Sequence, residues 1–224
     1  MRRLTHGIYG ITYELEENFI YEIVVEHPTI LTELVKELLN QTEGGQGEFR
    51  LSKGEKILPI DKNLIFVNDI FSIEINQRKV LTKLYAELSE SAYGVCLQEK
   101  GKFNEAYIRY MDAICGVSDL FIMYEDELDI QELFKVAKVK IDTDAVTLLE
   151  TLIEYIKVVT RLLRIDVFVF LNLKFFLTQD ELLMLYEECF NRKVCLILVE
   201  SVFREKLLCE KGCIIDKDKC IIYF

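Results

Sequence analysis

The sequence predicts an α/β protein built on a parallel sheet with helices on both faces, and three observations lead there. Short, near-continuous apolar runs recur at 18–26, 63–69, 166–172 and 194–200. Stretches with helical apolar spacing lie between them. Pro (2) and Gly (10) are too few to make a long linker. Strands apolar on both faces belong to buried parallel sheets, so alternation with helices gives the fold class, though not the strand order.

In NFIYEIVVE (18–26), Phe19, Tyr21, Ile23 and Val25 alternate with polar or smaller neighbours, the period of a strand. A helix follows at once, with Pro28 in its first turn and Ile30, Leu31, Leu34, Leu38 and Leu39 at helical spacing. The glycines of T-E-G-G-Q-G stop it. NLIFVND (63–69) is the next strand, and Asn63 or Asn76 can cap neighbouring turns.

Residues 77–140 change character. Val80, Leu81, Leu84, Tyr85 and Leu88 form one helical stripe, and Tyr107, Tyr110, Met111, Ile114, Val117, Ser118 and Phe121 a second. The α/β domain is therefore expected at 1–76 and 142–224, with an inserted, mostly helical domain at 77–141. Asp142 and Asp144 precede an amphipathic helix carrying Val146, Leu149, Leu152, Ile153, Ile156, Val159 and Leu163. DVFVFLN (166–172) is a strand, Thr178 and Glu181 make a capping box for a helix ending near Asn191, and VCLILVE (194–200) is another strand. The tail from Cys213 to Phe224 reads as a hairpin about Asp216 to Lys219.

Composition narrows function. The chain of 224 residues is 51% hydrophobic, enough for one full core and a smaller lobe. The apolar run from Ile165 to Leu177 is too short for a membrane span and contains Asp166, Asn172 and Lys174. No secretory signal follows Arg2 and Arg3, so a cytoplasmic protein without a membrane partner is expected. Seven Cys without a C-x-x-C pair read as buried thiols in a reducing compartment. His6 and His27 are the only histidines, which removes most zinc and Cys-His schemes, and both are expected to cap or be solvated. A net charge of -11 argues against casual nucleic-acid binding, although phosphates respond to the local field and not to the whole-chain sum.

A phosphate-binding α/β fold needs a glycine-rich turn and a lysine between its first strand and helix. Here that junction is V-V-E-H-P-T, and G-G-Q-G at 44–47 comes after the helix and reads as a turn. No nucleotide is expected. Glu200, at the end of an apolar strand, stands where a nucleotidase can keep an acid, but alone it defines no activity. No Ser-His-Asp, Cys-His or paired-carboxylate arrangement is defensible from spacing, so no catalytic residues are expected.

Two charge features remain. Glu125, Asp126, Glu127, Asp129 and Glu132 put five carboxylates in eight residues. They repel unless solvated at a helix start or bridged by a hard cation such as calcium, and both readings stay open. Lys135, Lys138, Lys140, Lys157, Arg161 and Arg164 follow, six bases against Asp142, Asp144, Glu150 and Glu154. That surplus of two fits an ordinary solvated face; repeated around a ring axis it would make a positive channel for a phosphate backbone.

F-V-N-D-I-F-S-I-E-I-N (66–76), Q-E-L-F-K-V-A-K-V-K-I-D (131–142), F-V-F-L-N-L-K-F-F-L-T-Q-D-E-L (168–182) and C-L-I-L-V-E (195–200) together resemble the Csn-two accessory proteins of type II-A CRISPR systems, in the family's order and near its spacing. The resemblance implies a head similar to P-loop ATPases without their phosphate-binding loop, and an inserted helical leg. It further implies a homo-tetrameric ring whose lysine-lined hole accepts double-stranded DNA ends, calcium as a cofactor, and the CRISPR integrase complex and effector nuclease as partners in spacer acquisition, without catalysis. By position, Lys135, Lys140 and Arg164 fall in the family's basic segments, and Asp126, Glu127 and Glu132 near its calcium acids. Phe121, Ile122 and Met123 stand where the family usually continues with carboxylates. Two rival readings are a protein-interaction scaffold that does not touch DNA and a diverged nucleotide hydrolase.

Overall fold

Ile20, Tyr21, Glu22, Ile23, Val24 and Val25 are all buried, the signature of a strand covered on both faces. The computed structural model describes residues 1–224. That strand, β3 (Ile20–Val25), lies inside a six-stranded sheet. Its companions are β6 (Ile65–Val67), β7 (Val167–Leu171), β8 (Cys195–Glu200), β9 (Glu210–Ile215) and β10 (Ile221–Tyr223), in the order β10-β9-β3-β8-β7-β6. Neighbours pair in parallel except β9 with β10, the expected C-terminal hairpin.

Side-chain alternation assigns the two faces. Tyr21, Ile23 and Val25 join Val167, Val169, Ile197 and Val199 in one apolar cluster with Ile30, Leu34 and Leu38 of α1 (Pro28–Thr42). The same cluster includes Leu4 and His6's neighbour Phe49, because a second sheet lies on this side. It joins β1 (Arg2–His6), β2 (Ile11–Leu15), β4 (Phe49–Lys53) and β5 (Lys56–Leu58), antiparallel in the order β2-β1-β4-β5. Residues 1–76 are expected in the α/β domain, but with no strand before residue 18, so this sheet is new. Its signal was short: Ile11, Tyr13 and Leu15 are buried and alternate with exposed Thr12 and Glu14. A short helix, α2 (Ile60–Asn63), leads into β6, and Asn63 donates from its side chain to the Pro59 carbonyl.

The opposite sheet face is covered by α6 (Leu148–Leu163) and α7 (Gln179–Asn191). Each opens with a reciprocal capping box, Thr147 with Glu150 and Thr178 with Glu181. The second was predicted. The first replaces the expected start at Asp142 and Asp144, and it leaves Val146 outside the helix and 90% exposed.

The chain divides into two compact units, residues 1–75 with 143–224, and residues 76–142. The second unit contains α3 (Arg78–Tyr93), α4 (Leu97–Cys115) and α5 (Ile130–Val136). Asn76 closes its base by donating to the Ile141 carbonyl and accepting from the Ile141 amide. Tyr85 of the first stripe donates to the Val139 carbonyl. The second stripe is cut short: α4 ends at Cys115 with Gly116 as its C-cap, so Val117 and Phe121 are exposed in an irregular segment and extend no helix. No helix of the chain is long and apolar enough to cross a membrane.

Two smaller expectations need correction. His6 is 1% exposed, not solvated: its ring stacks on Tyr9, meets Phe49 edge-on, and its Nδ1 accepts from the Tyr9 amide. His27 stands at the N-cap of α1 but makes no side-chain cap. All seven cysteines are free thiols, but only Cys189 and Cys213 are buried; burial pushes Cys189 up to about 12, so it is unreactive.

Candidate nucleic-acid interface

In α6, every third or fourth residue from Leu149 to Leu162 is buried, which turns the complementary stripe outward. Lys157, Arg161 and Arg164 occupy that stripe at i, i+4 and i+7, and all three are exposed. Arg164 caps the helix in the left-handed conformation, at φ 57°. Lys157 pairs with Glu154 at 2.9 Å, an exposed pair one turn away that is worth a few tenths of a kcal/mol. Half of the predicted basic set therefore shares one solvent-facing ridge.

The other half lies in the helical unit. Lys135 sits in the last turn of α5 and pairs with Glu132 at 2.6 Å, and Lys138 and Lys140 follow the helix in exposed positions. Lys138 has φ 52°.

The five acids proposed for calcium do not gather. All are exposed, Asp129 is the N-cap of α5 and accepts from the Gln131 amide, Glu127 pairs with Lys100, and Glu132 with Lys135. No group of three or more His, Cys, Asp or Glu side chains is arranged to hold a metal ion. In this arrangement the residues do not fit calcium, which asks for six to eight oxygens around one point.

Under α7 lies a buried ionic network that the sequence does not lead one to expect. Lys174, 3% exposed, donates from Nζ to Glu22 at 3.1 Å and Glu210 at 2.9 Å. Glu210 also accepts from the Tyr186 hydroxyl at 2.7 Å and the Leu207 amide at 2.8 Å. Glu200 accepts from the Lys174 amide at 3.0 Å, and burial above all pushes its carboxyl up to about 7. The available signal was a charge inside each of two apolar strings, I-Y-E-I-V-V and L-N-L-K-F-F. The network is closed to solvent and structural: Glu200 is an internal acceptor there, not an acid facing a substrate.

At the β3–α1 junction, Glu26 and His27 lead directly to Pro28 at the first helical position. Proline removes one amide from that helix start, and Glu26 adds a negative charge, the reverse of an anion cradle.

These features define a doubly covered parallel-sheet protein whose first strand–helix junction is not built for phosphate, with an inserted helical unit and a basic ridge on one helix. The family model described as CRISPR-associated protein (Cas_Csn2) matches residues 41–219, and the chain belongs to that family. A relative from Streptococcus agalactiae, named CRISPR-associated protein Csn2, is 31% identical over 127 residues, which span 55% of this chain and 57% of the relative. Among solved structures, a nucleotide-free ATP-binding cassette from an ABC transporter is similar with TM-score 0.43 and 10% identity, covering 96% of this chain and 87% of that one. A putative ABC transporter ATP-binding protein from Pyrococcus furiosus follows with TM-score 0.40 and 13% identity, covering 94% and 96%. The likeness is distant, and the α/β assignment rests on the strand order above.

Proposed function

We propose that the protein binds the ends of linear double-stranded DNA without reading base sequence, as a homo-tetrameric ring that supports spacer acquisition in type II-A CRISPR immunity. The observation that carries this reading is the exposed ridge of Lys157, Arg161 and Arg164 on α6, in a chain of the Cas_Csn2 family. Lysine and arginine side chains that neutralise phosphates hold a duplex without reading its bases, so binding of this kind is sequence-independent and salt-sensitive. Lys135, Lys138 and Lys140 of the helical unit add to the basic surface of each copy. The partners are a second, third and fourth copy of the chain, the CRISPR integrase complex and the effector nuclease. The role is non-enzymatic: Pro28 and Glu26 disfavour nucleotide phosphate at the first strand–helix junction.

Binding of linear and covalently closed circular duplex of equal length, compared at low salt, tests the proposal. Retention of the linear form alone is expected, because a ring loads only at an end. Equal retention of both overturns threading. The scaffold reading is favoured by the net charge of -11 and expects no retention of either form.

A further inference from the structure

At the carboxyl edge of the six-stranded sheet, β6, β7 and β8 run out into a cleft of about 380 Å³ within the α/β unit. This edge is where open α/β sheets hold ligands. Three phenylalanines wall the cleft and stay substantially exposed: Phe71 at 69%, Phe175 at 67% and Phe176 at 43%. Phe176 meets each of the other two nearly at right angles, 88° to Phe71 and 75° to Phe175, with centroids 5.0 and 5.1 Å apart. Edge-on packing of this kind leaves part of each ring exposed. The floor is polar: Asn172, left-handed at φ 53°, accepts from the Ser201 amide through its side chain.

Asp69 supplies a fixed negative charge in the wall. It caps the turn that carries Phe71, and hydrogen bonds from the Ser72 hydroxyl and the Phe71 amide hold its carboxyl below the usual range. The guanidinium of Arg204 already lies over the Phe175 ring, 5.2 Å from its centroid, so the molecule itself shows that this face accepts a cation.

We propose that this cleft receives a lysine or arginine side chain from a basic segment of a partner protein. Exposed aromatic rings beside a carboxylate attract an ammonium or guanidinium group, which at Phe175 would share the ring with Arg204 or displace it. Among the residues that line the cleft Asp69 is the one that carries a charge, so the wall complements a basic side chain. The same rings could stack a nucleobase, but Asp69 would repel the phosphate attached to it.

The test is an amide-resolved NMR titration of the full chain with three probes: acetyl-Gly-Arg-Gly-amide, its citrulline counterpart, which is neutral and nearly isosteric, and deoxyadenosine monophosphate. The arginine peptide should shift the amides of Phe71, Asn172 and Ser201 with a dissociation constant on the order of millimolar, the strength of one anchored side chain. Citrulline should bind several-fold more weakly. Phe175→Ala and Asp69→Asn, the latter keeping a capping side chain, should each weaken the arginine peptide several-fold while leaving the melting temperature close to that of the parent. Equal binding of the citrulline peptide, stronger binding of the nucleotide, no shift at these amides, or no effect of Phe175→Ala overturns the proposal. None of these results bears on DNA-end binding, which has its own assay.

Discussion

Replacing Lys174 by methionine keeps most of the side-chain volume and removes the one positive charge in the buried network. Glu210 retains the Tyr186 hydroxyl and the Leu207 amide. Glu22 retains nothing: Lys174 is the partner of its Oε2, its Oε1 has no hydrogen bond, and the side chain is 0% exposed. A carboxyl in that position must take a proton to stay folded. With an ordinary pKa of about 4.3, that costs about 4 kcal/mol at pH 7.5 and about 1.6 kcal/mol at pH 5.5, at 1.36 kcal/mol per pH unit. The first figure agrees with the ~3–5 kcal/mol measured when one partner of a buried pair is removed. For a domain of this size each kcal/mol shifts Tm by ~2–4 °C, so the variant should melt about 8–16 °C lower at pH 7.5. The gap should shrink by more than half at pH 5.5. Thermal melts at the two pH values measure it, and adding Glu22→Gln to Lys174→Met should remove most of the pH dependence. A drop under about 2 °C, or an equal drop at both pH values, would refute the electrostatic account of the network.

Glu200 gives a second pH signature: its folded pKa of about 7 lies above the ordinary ~4.3, so the folded state holds the extra proton and stability falls as pH rises through that window. Glu200→Gln keeps an acceptor for the Lys174 amide and should gain on the parent from pH 5 to pH 8.5, by an amount on the order of 2–3 kcal/mol; parallel melting curves across that range would contradict it. On α6, Arg161→Glu with Arg164→Glu should weaken binding of linear duplex and lower the slope of log K against log salt by about 0.9 for each phosphate that is no longer neutralised. An unchanged slope would take the phosphate contacts away from α6.

Elements were legible where one local property decided them. β3, β7 and β8 are apolar on both faces, and α7 carries its own capping box, so no distant contact was needed to read them. The N-terminal sheet was not legible because its strands are three to five residues long and polar on their outer face. α6 starts at Thr147 because a reciprocal cap satisfies two helix-end donors, which Asp142 and Asp144 do not do. The stripe drawn through Val117 and Phe121 failed at Gly116, a stop that apolar periodicity ignores. For the basic residues, spacing alone puts Lys157, Arg161 and Arg164 on one ridge once the helix is known. The Lys174 network could not be read locally: its partners lie 152 and 36 positions away, and only strand order brings them together.

The same network bears on whether so acidic a chain can hold DNA. Glu22, Glu200 and Glu210 are among the 38 acids counted in the net charge, yet each is at most 2% exposed. Two of them share Lys174, and Glu200 is close to half-protonated near neutrality, so the cluster projects less negative charge than its three carboxylates suggest. A phosphate near α6 responds to charges within about 10 Å at 0.1 M salt. There the exposed Lys157, Arg161 and Arg164 are opposed along the helix by Glu154 and, at its far start, by Glu150, whose carboxylate is held by the backbone amides of Val146 and Thr147. The field at the ridge is therefore set by the charges near it and not by the whole-chain sum, so a net charge of -11 is compatible with phosphate binding there.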